Sequence, residues 1–175
     1  MKNNLSNKWH LSHSGCVAIF LVISLIIPMM AQSGEWSYRA QSKIQWRDYG
    51  EAAFAEAKST GKPLYVLVYA NWCHWCKKFE SETLETELIR GLLQNEMIPI
   101  AVDNVTQAEI GKKLGTKLVP TSVILTPDGQ RLLRFYGFLP ADELDQALRQ
   151  TLSRWHMGEI PEEEFGDEST CCPVP

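Results

Sequence analysis

The sequence has no block of basic residues, no second Cys-x-x-Cys, no internal repeat and no apolar run of membrane-spanning length. Each absence removes a class of function. A formal charge of −4 with charges well mixed through the middle of the chain does not suit a nucleic-acid partner. A single Cys-x-x-Cys, without a second pair at finger spacing, falls short of the four ligands of a structural zinc site. The longest apolar run, Cys16 to Ile27, is shorter than the roughly 20 residues of a spanning helix. What remains is 175 residues with 45% hydrophobic content, enough for one domain with a proper core.

The first thirty residues stand apart. Lys2 and Lys8 are the only formal charges before Glu35, the apolar run follows, and small residues appear at Ala31, Ser33 and Gly34. Basic start, apolar middle and small-residue exit predict a secretory signal over 1–31, cleaved after Ala31 or, with the better A-x-S pattern, after Ser33. The alternative is an uncleaved N-terminal membrane anchor. Cys16 precedes the apolar run, the wrong side for a lipidated cysteine. The expected location is therefore periplasmic or otherwise exported, where disulfides persist. Loss of the signal removes two lysines and Cys16, leaving Cys73, Cys76, Cys171 and Cys172.

Residues 32–45 read as an extended lead-in and 46–156 as the domain. Asp48 and Glu51 form a capping-box pattern before Ala53, Phe54 and Ala57, and Gly61 and Pro63 end that helix, so a helix is predicted over about 49–60. PLYVLVYA reads as a buried central strand. KKFESETLETELIRGLLQNE reads as one long helix, bent near Ser81–Thr83, with Leu84, Leu88 and Leu92 at i, i+4 spacing. MIPIAVD is a second buried strand, and TQAEIGKKLG a short helix capped by Thr106 and stopped by Gly115. KLVPTSVILTPDGQRLLRFYG is two strands about a turn at Thr126-Pro127-Asp128-Gly129. PADELDQALRQTLSRW is a final amphipathic helix with Leu144, Leu148 and Leu152 on one face. The order α, β, α, β, α, β, β, α predicts an α/β fold with a central mixed sheet of about four strands flanked by helices. Residues 157–175 are acidic and poor in apolar side chains, and read as a mobile tail.

The segment Asn71-Trp72-Cys73-His74-Trp75-Cys76 carries the chemistry. A metal clamp completed by the tail thiols and a structural disulfide are both open readings. A disulfide closing so short a loop stabilises little. A redox reading uses position. The motif falls where a buried strand ends and a helix begins, so Cys73 faces the unpaired N–H groups of the helix start, which favours the thiolate. A protonated His74 would add a cation beside it. Cys76, one turn in, would stay a thiol until needed to resolve a mixed disulfide. Trp72 and Trp75 would shield the pair or simply pack.

YANWCHWCKKFE, followed some forty residues later by VPTSVILTPDG, resembles the thioredoxin superfamily. Within it, the chain from about Ile44 to Trp155 is similar to exported thioredoxin-like proteins and to the C-terminal domain of transmembrane thiol–disulfide interchange proteins. The resemblance implies Cys73 as attacking and Cys76 as resolving cysteine, joined as a redox-active disulfide. It implies Pro120 as a cis-proline beside them, with Trp72, His74, Trp75, Val119 and Pro120 contacting substrate. Many relatives carry a buried acid six residues before the first cysteine; here that residue is Leu67. Glu80, four residues after Cys76, is the expected replacement in proton transfer, the alternative being a solvated surface acid.

The resulting expectation is an enzyme, a thiol–disulfide oxidoreductase that reduces protein disulfides, is recharged by a membrane thiol–disulfide electron donor, and needs no cofactor or bound metal. The lack of a dimerisation domain suits a monomer. The competing expectation is a non-catalytic metal-binding accessory for cytochrome or copper-site maturation, holding copper through Cys73, Cys76 and the tail thiols. Cys171 and Cys172 are adjacent, and Cα atoms about 3.8 Å apart lie below the usual disulfide range, so they should not pair with each other. The tail should either swing towards Cys73 or a partner thiol as a shuttle or docking point, or carry two stray thiols.

Overall fold

Six consecutive residues that are all apolar or aromatic, four of them β-branched or aromatic, cannot leave either face in water. Leu64–Tyr69 accordingly forms β1 with every residue buried. A computed structural model describes residues 38–160 and 163–174, all within one unit, Trp36–Pro175. The expected signal, its cleavage sites and the start of the lead-in lie outside the described residues.

The first described element is a short helix, α1 (Tyr38–Gln41), so the lead-in is not wholly extended. Its Tyr38 ring is buried between Trp46 and Tyr69, with centroids 5.5 and 5.1 Å away. Helix α2 (Glu51–Thr60) buries Ala53 and Ala57 and ends at Gly61, whose φ of 65° suits glycine. Its N-cap is Gly50, without a side-chain cap, and the expected Asp48 capping box does not form. Asp48 lies two residues too early and pairs with Arg39 instead.

After β1 the chain enters α3 (His74–Phe79), passes through a π-helical turn at Glu80–Leu84, and restarts as α4 (Glu87–Glu96), capped where Thr86 Oγ1 accepts from Ile89 N at 3.4 Å. The break falls where the bend was expected. The wide turn and restart also undo the i, i+4 leucine series. Leu84 and Leu92 are buried, Leu88 is 47% exposed, and α4 buries Ile89, Leu92 and Leu93. Strand β2 (Ile98–Asp103) then runs parallel to β1. Helix α5 (Ala108–Lys113) begins after Gln107 rather than with Thr106 as cap, and its Gly115 stop has φ 72°.

A two-residue strand, β3 (Leu118–Val119), precedes a cis Val119–Pro120 bond. Strands β4 (Thr121–Leu125) and β5 (Arg131–Tyr136) form an antiparallel hairpin. At its turn Gly129 N donates to Thr126 O at 2.9 Å. Helix α6 (Ala141–His156) buries Leu144, Leu148 and Leu152, as its spacing predicts, and contacts α4.

The tail departs from the mobile segment expected. It forms β6 (Glu163–Gly166), parallel to β5, a 3₁₀ turn at Glu168–Thr170, and β7 (Cys172–Pro173), antiparallel to β3. The main sheet therefore has five strands, β2-β1-β4-β5-β6, the fifth coming from the tail. What holds it is backbone pairing more than apolar burial. Phe165 stacks on Phe135 with ring centroids 5.5 Å apart, Glu164 pairs with Arg134, and Phe138 N donates to Thr170 Oγ1 at 3.0 Å.

Candidate active site

Strand β1 delivers the chain to Ala70, whose carbonyl accepts from Cys73 N at 3.0 Å and closes the turn into α3. Cys73 is the N-cap of that helix, in extended conformation, as the strand-to-helix reading requires. Its sulfur lies 3.4 Å from the Val119 carbonyl oxygen. The structure thus brings together Cys73, Cys76, Val119 and Pro120, far apart in sequence, at the C-terminal end of β1. Val119 and Pro120 are buried.

Cys73 is disulfide-bonded, but to Cys172 of β7 and not to Cys76; the Cα atoms of the pair are 5.9 Å apart. Cys76 is a free, buried thiol. Burial pushes its pKa up to about 12, partly opposed by a hydrogen bond with the Ala70 backbone. The charges of Cys171, Glu80 and Asp103 push it the same way as burial does. A buried thiol in such a setting holds its proton until a base removes it. Cys171 does not pair with Cys172 and stays a free thiol, raised to about 11 by burial and by Asp167 and Glu168.

Glu80 is 7% exposed, so it is not a solvated surface acid. Burial, then the charge of Glu85, raises it to about 8. Leu67, where a strand acid would stand, is buried and apolar. Glu80 is close enough to Cys76 to perturb it, and a carboxyl titrating near 8 can take a proton at neutral to mildly alkaline pH.

The aromatic residues divide. Trp72 is 50% exposed at the rim. Trp75 is half-buried, 5.1 Å from the His74 ring and 6.3 Å from Phe138, and Lys78 Nζ sits over Phe138 at 4.7 Å. His74 is exposed, its Nδ1 4.0 Å from Cys172 Sγ. Two residues electrostatically linked to Cys76 or Glu80 were not singled out from sequence. Asp103 ends β2 and adds its charge at Cys76. Tyr38 has its hydroxyl pKa raised by burial and by nearby Tyr65, Glu80 and Glu85. Only an acid at a strand end and an aromatic in a polar segment could have hinted at them. Among the described residues, no three His, Cys, Asp or Glu side chains converge to hold a metal ion, and no helix is long and apolar enough to cross a membrane.

A family model described as thioredoxin-like domain matches residues 50–152. Spermatogenesis-associated protein 20 of Rattus norvegicus is 31% identical over 113 residues, covering 60% of this chain and 14% of its own length. The thiol:disulfide interchange protein DsbD of Yersinia pestis is 26% identical over 145 residues, covering 77% of this chain and 24% of that protein. The chain thus spans only a small part of these curated relatives. A thioredoxin from Thermus thermophilus superposes with a TM-score of 0.60 at 24% identity, over 66% of this chain and 93% of that one, and shows the shared fold.

Proposed function

Since the chain belongs to the thioredoxin-like domain family, we propose that it is an exported thiol–disulfide oxidoreductase that reduces protein disulfides through Cys73 and Cys76. The observation that carries this reading is the placement of Cys73 at the strand-to-helix junction, against Val119, with the buried Cys76 thiol and Glu80 behind it.

In the dithiol form, the Cys73 thiolate attacks one sulfur of a substrate disulfide. The substrate S–S bond breaks, its other sulfur leaves as a thiolate and takes a proton, and a Cys73–substrate disulfide remains. Glu80 then accepts the Cys76 proton. The Cys76 thiolate attacks Cys73 Sγ, releasing the second substrate thiol and leaving a Cys73–Cys76 disulfide. An external dithiol, supplied by a membrane partner, restores the reduced protein. Val119 and Pro120 line the backbone of the bound segment, and Trp72, His74 and Trp75 supply the rim. Export is supported by the signal-like residues 1–31 and by likeness to a thiol:disulfide interchange protein.

Reduction of insulin by the wild type and two variants tests this. Cys73→Ser should be inactive, and the Cys76→Ser, Cys172→Ser double variant should attack but accumulate mixed disulfides with substrate. Full activity in Cys73→Ser would refute the reading.

A further inference from the structure

The tail reaches the site as an extended segment. Cys172 lies opposite Val119 and Pro173 opposite Leu118, antiparallel to β3, and Val174 N donates to Lys117 O at 3.1 Å. The Cys172 sulfur is bonded to Cys73. The seat is shaped for this segment. Gly137, with φ 91°, is so close to the tail that a Cβ there would collide with Thr170 Oγ1 and Asp167 O and crowd Cys171 Sγ. Thr170 and Phe138 are joined by a hydrogen bond, Asp167 N donates to Tyr136 O at 3.3 Å, and Cys172 is itself buried. A chain segment paired along β3, with its cysteine joined to the attacking sulfur, has the form of a substrate caught midway through exchange. The sulfur that would resolve it, Cys76, is free.

We propose that Cys172 is a third redox-active cysteine and that the tail is a tethered substrate, whose disulfide with Cys73 is resolved by Cys76. The proposal rests on the oxidoreductase reading of Cys73 and Cys76. In the step, Cys76 passes its proton to the Glu80 carboxylate and its thiolate attacks Cys73 Sγ. The Cys76–Cys73 bond forms as the Cys73–Cys172 bond breaks. The electron pair departs on the Cys172 sulfur, which takes a proton from solvent. One disulfide and one thiol stand on each side, so no outside oxidant or reductant is consumed.

The oxidised protein then has two isomers. In the closed one the tail fills the groove and Cys73 has no exposed surface. In the open one Cys73 pairs with Cys76, the tail leaves, and the groove along β3 is free. The register also defines a substrate class: an extended peptide running antiparallel to β3, with a cysteine opposite Val119 and a proline after it. Tethering gives the tail an effective concentration of about millimolar, enough to compete with dilute substrates.

Two measurements on the full chain test this. The first is peptide mapping after oxidation in glutathione buffer, acid quench and alkylation. The wild type should contain both Cys73–Cys172 and Cys73–Cys76, Cys76→Ser only the first, and Cys172→Ser only the second. Cys172 free in every oxidised sample, Cys76→Ser included, would overturn the proposal. The second uses the Cys76→Ser, Cys172→Ser double variant and a mixed disulfide of glutathione with a peptide of residues 168–175 carrying Cys171→Ser. Cys73 should capture this peptide at least about tenfold faster than a scrambled peptide in which cysteine and proline are separated, a preference of about 1.4 kcal/mol. Equal rates, with Cys73-dependent insulin reduction intact in the wild type, would overturn the tethered-substrate proposal alone. Insulin reduction that persists in Cys73→Ser would instead overturn the reading on which it rests.

Discussion

Strands β1 and β7 are held in place by different physics. β1 buries six apolar or aromatic residues, each contributing roughly 1.5–3 kcal/mol through removal from water. β7 has two residues, one of them exposed, and is held by a short backbone ladder and one covalent bond. The first strand is indifferent to thiols in the solution. The second depends on them. The molecule thus carries a core that reductant cannot touch and a covering segment that reductant can release, as the proposed function requires.

The largest effect expected on this contrast is at the covalent link. Its cysteines are 99 residues apart, and a bridge over about 100 residues is worth about 4.7 kcal/mol in the chain-entropy description. In the Cys76→Ser background, where Cys73–Cys172 cannot exchange with Cys76, adding Cys172→Ser should lose stability of about that size in urea melts without reductant, and the difference should vanish once dithiothreitol is added. Leu64→Ala, at a fully buried position of β1, should cost about 3 kcal/mol with or without reductant. A redox-dependent Leu64→Ala effect would break the comparison.

Glu80 should act on both stability and rate. Its folded pKa is raised from 4.5 to about 8, so the folded state holds this proton more tightly than the unfolded chain. The associated stability is complete below about pH 4.5 and falls as pH rises towards 8, on the order of a few kcal/mol in total. Glu80→Gln should flatten that fall and be the more stable protein at pH 8, as read from urea midpoints across the range. It should also slow resolution by Cys76 more than attack by Cys73. Below about pH 8 the deficit should be constant, because both the Glu80 carboxylate and the Cys76 thiolate fall tenfold per unit. Above it the deficit should shrink, as the wild type levels and the variant continues to rise. An unchanged pH–rate profile would remove Glu80 from the proton path. The smallest effect is expected from Phe165→Ala, which removes the ring stacked on Phe135 and should cost about 1 kcal/mol, seen as faster amide exchange in β6.

The same contrast explains what could be read from the sequence. The apolar runs of β1 and β2, the hairpin turn at Thr126–Gly129 and the leucine face of α6 announce themselves through periodicity and turn chemistry. The placement of Cys73 and Cys76 at the start of α3 was legible because spacing and the preceding strand coincide, whereas the pairing of Cys73 with Cys172 was not. The tail was not, because backbone pairing leaves no hydrophobic signature: Glu163–Gly166 carries a single large apolar side chain, Phe165. The exposure of Leu88 was also hidden, since a π turn at Glu80–Leu84 shifts the helical phase without a breaker residue. The buried state of Glu80 follows from that same local packing, which i, i+4 spacing from Cys76 suggests but does not determine.

The central claim is that Cys73 belongs to an exchanging disulfide and not to a structural one. Equilibration of the full chain in buffers of graded thiol–disulfide potential, with acid quench and alkylation of Cys73, tests it most directly. A two-electron transition at Cys73 between about −270 and −120 mV, the span of known Cys-x-x-Cys oxidoreductases, is the predicted result. A Cys73 that stays oxidised below about −300 mV, in the range of structural disulfides, would contradict it.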